Sequence, residues 1–146
     1  MRITERISFQ IQDVDLVVKE KNKIRQWIVD AIKNEGKKTG DITYIFCSDE
    51  YLLKMNRQYL QHDDYTDVIT FDYTEENRVS GDIFISYERI VDNANQLKTL
   101  PEEELHRVMI HGVMHLCGYK DKLPGEREQM TQKENQYLAL LPNQKN

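Results

Sequence analysis

Long apolar runs are missing from this sequence, and cysteine is scarce. The longest apolar runs, such as "IFC" and "LALL", fall far short of the roughly 18 residues that a membrane-spanning helix requires. The first 13 residues also lack the apolar segment of a secretory signal. Two cysteines, Cys47 and Cys117, stand without C-x-x-C spacing, which fits free thiols in a reducing compartment. We therefore expect a cytoplasmic protein with no membrane partner.

A strong excess of basic residues is also missing. The formal net charge of the 146 residues is −5, which argues against a protein that coats nucleic acid through bulk charge. Residues 19–38 depart from this average, with seven basic and three acidic side chains and a net charge of +4. That segment is either a solvated helix face or a patch for an anionic ligand.

Four short segments have the pattern of β-strands. Apolar residues of one parity recur in "RITERISFQIQ" (2–12), and β-branched residues are dense in "DITYIFC" (41–47), "TDVITFDY" (66–73) and "SGDIFIS" (80–86). No repeat, low-complexity tract or long linker divides the chain. The pattern predicts one α+β domain, residues 1–146, in which helices pack on a small mixed sheet of about four strands.

Helices are expected between these strands. Apolar residues spaced i, i+3, i+4 and i+7 from Ile24 predict the first helix, which Gly36 or Gly40 ends. Ser48 and Ser86 are suited to cap the second and third helices, because a serine hydroxyl can accept a hydrogen bond from a free amide of the first turn. The apolar spacing places Leu52, Met55 and Tyr59 on the inner face of the second helix. The third helix carries the apolar series Ile90, Val91, Ala94 and Leu97.

A fourth helix is predicted in "TLPEEELHRVMIHGVMHLCG" (99–118). Pro101 and three glutamates suit its start, where acidic side chains complement the helix dipole. Gly118 suits its C-terminal end, because glycine adopts the left-handed conformation that often follows a helix. A last helix follows Pro124.

Two of the four histidines lie four residues apart in "HGVMHLCGYKD" (111–121). At that spacing on a helix, the imidazoles of His111 and His115 project from the same face, one turn apart. The turn at Gly118 can bring the Asp121 carboxylate toward the same point. A catalytic zinc site needs three protein ligands and one open position. The spacing therefore predicts a metal centre on a helix in the C-terminal half, with ligands His111, His115 and Asp121.

The residue that follows the first histidine separates two kinds of metal chemistry. Zinc peptidases with an H-E-x-x-H helix carry a general-base glutamate there, whereas this sequence has Gly112. A glycine inside a helix costs about 1 kcal/mol relative to alanine, which indicates close packing on a neighbouring element. Cys117 falls on a different helical face from His115 and is expected to be a small buried hydrophobe rather than a ligand.

The same segment resembles the signature H-G-x-x-H-L-x-G-Y-D-H of the YbeY family, the bacterial rRNA-maturation endoribonucleases. "MNRQY" (55–59), "TDVITF" (66–71) and "GDIFIS" (81–86) resemble three further segments of that family, in the same order and spacing. The resemblance implies a mixed α/β fold, one bound zinc ion and cleavage of single-stranded RNA. It also implies a part in 16S rRNA 3′-end maturation and ribosome quality control, with the ribosomal small subunit as a partner.

The sequence departs from the family pattern at two functional positions. Carried over by position, the zinc ligands would be His111, His115 and Asp121, with aspartate where the family has a third histidine. Leu60 stands where the family commonly has an arginine thought to act at the phosphate, so that role is vacant or displaced. The candidates to replace it, each weighed against a plain surface role, are Arg57, His62, Lys120 and Lys122.

Three functions stay open. The leading one is a zinc-dependent endoribonuclease, in which a nearby cation steadies the charge on phosphorus. The second is a metallopeptidase-like hydrolase, which Gly112 argues against. The third is a non-enzymatic ribosome-associated factor that zinc stabilises through a closed site. Two imidazoles and a carboxylate suit zinc, and nickel, cobalt or iron would also bind.

Several other side chains have open roles. Asp67 and Asp82 are expected either to accept hydrogen bonds from metal-bound histidines or to serve the ends of their strands. Exposed aromatic side chains can stack on the bases of single-stranded RNA, or they can fill the core. The tyrosines with this double assignment are Tyr59, Tyr65 and Tyr119.

Overall fold

Four strands form one mixed sheet in the computed structural model, which describes residues 6–61 and 66–141. They are β1 (Ile7–Ile11), β2 (Lys38–Cys47), β3 (Val68–Asp72) and β4 (Arg78–Ser86). Their order in the sheet is β1-β2-β4-β3. Neighbouring strands β1 and β2, and β2 and β4, are parallel, and β3 is antiparallel to β4. The predicted mixed sheet of four strands is confirmed, and β3 lies at one of its edges.

Five helices accompany the sheet within the described ranges, and the single α+β domain is as predicted. They are α1 (Lys21–Asn34), α2 (Asp49–Tyr59), α3 (Tyr87–Leu97), α4 (Pro101–Leu116) and α5 (Pro124–Leu138). The Oγ atoms of Ser48 and Ser86 accept the amide protons of Tyr51 and Arg89, both at 3.1 Å. Both predicted caps are therefore present. None of the described helices combines the length and the hydropathy that crossing a membrane requires.

Three details differ from the sequence-based expectations. Of the two glycines proposed to end α1, Gly36 follows the helix with a φ of 78°, whereas Gly40 belongs to β2. Tyr59, which the apolar spacing places on the inner face of α2, is 56% exposed, and Leu97 of the apolar series in α3 is 65% exposed. Each of them occupies the last position of its helix. Tyr59 makes an edge-to-face contact with the Phe71 ring of β3, which covers only part of its side chain.

Helix α4 lies directly on the sheet, and two glycines permit the close approach. A Cβ atom at Gly112 would sit 2.9 Å from Cγ2 of Ile83 on β4. At a second point of contact between the same two elements, a Cβ atom at Gly81 of β4 would sit 2.8 Å from Cδ2 of Leu116 on α4. The expected reason for a glycine within this helix is therefore confirmed. The contact presses α4 against β4 and leaves its flank, which carries both histidines, beside the edge strand β3.

Candidate metal centre

The predicted site residues lie on α4 and on the turn that follows it. His111 and His115 are one helical turn apart, and their ring centroids are separated by 4.6 Å. Gly118 has a φ of 108°, and its amide and that of Tyr119 donate to the carbonyls of His115 and Met114, both at 3.0 Å. This left-handed ending reverses the chain, as the sequence predicted. Asp121 is thereby brought back beside the two imidazoles.

Three side-chain atoms from these residues form a compact triangle. The Nε2 atoms of His111 and His115 are 3.0 Å apart. Oδ2 of Asp121 lies 3.1 Å from Nε2 of His115 and 3.2 Å from Nε2 of His111. Ligand atoms around a tetrahedral zinc ion, with bonds of about 2.0–2.1 Å, lie about 3.3 Å from one another. Among the residues that the structure describes, this trio is the group of donors whose geometry could hold a metal ion.

Both imidazoles are held by hydrogen bonds at their other nitrogen. Nδ1 of His111 lies 2.6 Å from Oε2 of Glu134 on α5. Nδ1 of His115 lies 2.9 Å from the carbonyl oxygen of Tyr119. Because both acceptors need a proton on Nδ1, they leave the Nε2 lone pairs free for a metal. The orienting role considered for Asp67 and Asp82 therefore falls to Glu134 and to the Tyr119 carbonyl.

Glu134 is a site residue that the sequence reasoning missed. It lies one turn after the buried Met130 on α5 and is only 7% exposed. An acidic residue on the inward face of a helix was the available signal, because a buried carboxylate requires a partner. The indole Nε1 of Trp27 donates to the Tyr137 carbonyl at 2.7 Å. That bond fixes α5 against α1 and so fixes the position of Glu134.

The contact between His111 and Glu134 raises the pKa of the imidazole and lowers the pKa of the carboxyl group, which favours an ion pair between them. Burial disfavours the charged imidazole, but the hydrogen bond to Glu134 and the nearby acidic charges outweigh it and raise the pKa of His111. Burial likewise opposes ionisation of Glu134, yet its contacts with His111 and Arg107 lower the pKa of that carboxyl group. A proton and a metal ion therefore compete for His111.

The turn that carries Asp121 is anchored to the first and last helices through a buried carboxylate. The side chain of Glu35, just after α1, is 8% exposed. It accepts hydrogen bonds from the Tyr119 hydroxyl at 2.7 Å and from Nζ of Lys133 at 3.0 Å, and Tyr137 donates to it as well. Tyr119 thus makes two hydrogen bonds that support the site: its backbone carbonyl contacts His115, and its hydroxyl donates to Glu35. Its ring packs against the core, so of the two roles considered for it, the structure shows the packing one.

A cleft of about 670 Å³ opens in front of the three candidate ligands. Residues 66–70, leading into and along β3, form one wall of this cleft, and α4 forms the other. Leu60 also lines it and is 40% exposed. Burial raises the pKa of Asp67, which faces the cleft. Asp82 is not among the cleft-lining residues and instead accepts a hydrogen bond from the Tyr73 hydroxyl at 3.3 Å.

The cations proposed to replace the family arginine do not line the cleft where the structure describes them. Arg57, Lys120 and Lys122 are exposed and lie outside the cleft lining. His62 and Tyr65 fall outside the described residues. Cys117 is half-buried against the core, and burial raises the pKa of its thiol to about 12. A thiol held in its neutral form is a poor metal ligand.

Comparison with known proteins places these features in a family. The family model "Endoribonuclease YbeY" matches residues 6–142. The Endoribonuclease YbeY of Parabacteroides distasonis is 54% identical over 138 residues, which cover 94% of this chain and 97% of that protein. That of Bacteroides thetaiotaomicron is 51% identical over 134 residues, covering 92% and 98%.

A solved structure agrees with the fold as well. The solution structure of TM1509 from Thermotoga maritima matches with a TM-score of 0.66 at 25% sequence identity, covering 92% of this chain and 88% of that one. The sequence resemblance, the near full-length match of the family model and the mixed sheet of four strands lead to one conclusion. This chain belongs to the Endoribonuclease YbeY family.

Proposed function

We propose that this protein is a metal-dependent endoribonuclease that cleaves single-stranded RNA. The observation that carries the proposal is the convergence of His111 Nε2, His115 Nε2 and Asp121 Oδ2 within about 3 Å of one another at the wall of an open cleft. Membership of a family named for endoribonuclease activity supports the reaction type. We further propose that the protein acts in the cytoplasm on the 3′ end of 16S rRNA and in ribosome quality control, with the small subunit as its partner.

Each residue of the site has a definable task in this proposal. His111, His115 and Asp121 would hold a divalent ion, which would supply Lewis acidity toward a phosphodiester oxygen. Glu134 and the Tyr119 carbonyl lie at hydrogen-bond distance from Nδ1 of His111 and His115, which turns the Nε2 atom of each ring toward the candidate metal position. Asp121 adds a negative charge that strengthens attraction for the cation and reduces its Lewis acidity. Zinc suits this donor set best, and nickel, cobalt and iron(II) are the next candidates.

The two alternative functions have less support from the geometry. A metallopeptidase of the H-E-x-x-H type would need a glutamate at position 112, but Gly112 faces Ile83 of the sheet at a distance that leaves no room for a side chain. A closed zinc site would need a fourth protein ligand. Within the described ranges, the group that could hold a metal contains three ligands and does not include Cys117.

Cleavage of defined RNA by the purified protein tests the proposal. The substrates are a labelled single-stranded RNA with the sequence of the 16S 3′ region and the same RNA annealed to its complement. We expect zinc-loaded protein to cleave the single strand in preference to the duplex, chelator to abolish cleavage and added zinc to restore it. His115→Ala should be inactive, while Asp92→Asn, a change at a 64% exposed carboxylate on α3, should behave as wild type. Equal cleavage by wild type and His115→Ala would assign the activity to a contaminant and refute the proposal.

A cellular measurement tests the assignment to rRNA. Cells in which the gene is replaced by a His115→Ala allele should accumulate 16S rRNA with an unprocessed 3′ end. Normal 16S 3′ ends in those cells, with the variant protein present and folded, would separate the nuclease activity from rRNA maturation.

A further inference from the structure

The cleft is rich in acidic side chains for a site that would take an anionic polymer. Asp67, Glu104, Asp121 and Glu134 all line it. Arg107 is the only arginine or lysine among the described residues of that lining. A phosphodiester brought to the candidate metal centre adds further negative charge, and more develops on its oxygens as the bond breaks. Among the described lining residues, the Arg107 guanidinium is therefore the side chain that can offset this negative charge.

Arg107 shares a face of α4 with the two histidines. Residues 107, 111 and 115 are spaced i, i+4 and i+8, so their side chains follow one another along the same side of the helix. Each step of four residues advances about 6 Å along the helix axis. A group bound at the imidazoles is thus within reach of a long side chain one turn away. The Arg107 side chain is 35% exposed, so solvent and ligands have access to it.

The guanidinium is oriented by two neighbours on α5. Nη1 donates to Oε1 of Glu134 and Nη2 donates to Oδ1 of Asn135, both at 2.8 Å. A guanidinium has five N–H donors, so these two contacts leave donors for a further acceptor. The second oxygen of Glu134 holds His111. One carboxylate therefore fixes the spacing between the cation and the first candidate ligand.

We propose that Arg107 contacts the non-bridging oxygens of the RNA phosphodiester that is bound at the candidate metal centre. This inference rests on the proposed nuclease function and extends it by naming the phosphate-contacting cation. A planar guanidinium can donate two parallel hydrogen bonds to phosphate. Preorganisation by Glu134 and Asn135 lets it act without rearranging. The competing explanation is that Arg107 only neutralises Glu134.

Kinetics at saturating zinc separate these two explanations. The variants are Arg107→Met, which keeps an unbranched apolar stem, and Arg107→Lys, which keeps the charge without the fork. Arg78→Met is the matched control, because Arg78 is exposed at the start of β4 and lies outside the cleft lining. We expect Arg107→Met to lower kcat/KM on single-stranded RNA by about 100-fold, Arg107→Lys to recover part of that loss, and Arg78→Met to match wild type. Zinc content and melting temperature are measured on every sample.

Binding without cleavage gives a second readout that does not depend on activity. An RNA oligonucleotide with 2′-O-methyl groups at every position is titrated into zinc-loaded protein at several salt concentrations. Loss of one phosphate contact should reduce the slope of log K against log salt by about 0.7. Arg107→Met should show this reduction, and Arg78→Met should not.

Each possible result supports or overturns the contact between Arg107 and the RNA phosphate. If Arg107→Met has wild-type kcat/KM and an unchanged salt slope, the phosphate contact does not exist. If Arg107→Met loses activity at limiting zinc but matches wild type at saturating zinc, Arg107 serves only to position Glu134, and the proposal is equally overturned. If wild type itself cleaves no RNA, the proposed function fails, while the salt slopes still report whether Arg107 touches the RNA backbone.

Discussion

Removing the Glu134 carboxylate provides a sharp test of the candidate metal centre. Glu134 is not one of the three candidate ligands, yet its Oε2 atom lies 2.6 Å from Nδ1 of His111. Glu134→Ala leaves the ligand trio intact and removes the group that fixes the tautomer and orientation of one member. We therefore expect zinc to bind, but more weakly.

The size of the loss follows from the surroundings of this contact. Deleting a group that orients a metal ligand typically weakens metal binding by about 10- to 100-fold. The side chains of Glu134 and His111 are only 10% and 19% exposed, so water replaces the lost acceptor poorly, and we expect the upper part of that range. That corresponds to about 2–3 kcal/mol. Glu134→Gln keeps a neutral acceptor of similar shape, and because a charge-assisted hydrogen bond is about twice as strong as a neutral one, about half of the free energy should be lost.

Competition with a chromogenic zinc chelator measures the dissociation constants of wild type and both variants. Glu128→Ala is the control, because Glu128 is exposed on the same helix. Circular dichroism and thermal melting in excess chelator check that each protein folds. A Glu134→Ala protein that binds zinc within about twofold of wild type would refute the reasoning. The orientation of His111 would then have to come from helix α4 alone.

Three further changes probe the same site. The pKa of His111 is raised above its ordinary value of 6.5 in the metal-free fold, so its contribution to stability is present below that pH and is lost as the pH rises through the folded pKa. Zinc needs the neutral imidazole, so the gain in melting temperature on adding zinc should grow from about pH 5.5 to about pH 8, and a flat profile would contradict this. Asp121→Asn should weaken zinc binding more than Glu134→Ala does, since it neutralises one of the three candidate ligands, whereas Asp121→His should retain zinc in the same chelator titration. Tyr119→Phe removes one donor to Glu35 and should lower the free energy of unfolding in urea by about 1 kcal/mol and weaken zinc binding several-fold.

The sequence was most informative where the chemistry is local. His111, His115 and Asp121 lie within 11 residues, and helical spacing together with one glycine turn is enough to predict their convergence. The supporting residues Glu35 and Glu134 lie far away along the chain. Their contribution depends on how α1 and α5 dock, and periodicity within one helix does not specify docking.

Burial at helix ends shows the same limit. The apolar spacing of α2 correctly placed Leu52 inward and wrongly extended to Tyr59, while in the apolar series of α3 Ile90 and Ala94 are buried and Leu97 is exposed. Helical periodicity gives the direction in which a side chain points, whereas burial also requires a neighbouring element that covers the side chain at that level of the helix. Tyr59 has such a neighbour in the Phe71 ring, but one edge-to-face contact leaves the residue 56% exposed.

The mutual fit of Gly112 under α4 and Gly81 on β4 has an effect well outside the interior. Each glycine accommodates a bulky aliphatic side chain from the opposing element, and a Cβ atom would meet Ile83 at 2.9 Å from Gly112 and the Phe71 carbonyl oxygen at 2.5 Å from Gly81. The helix that rests at this depth also carries His111 and His115 on its flank, beside the edge strand. The depth at which α4 rests on β4 therefore sets how its histidine flank stands beside β3, at the wall of the candidate cleft. Any descendant of this protein that gained a methyl group at Gly112 would have to move Ile83 or lift α4, and one that gained it at Gly81 would meet the Phe71 backbone as well as Leu116.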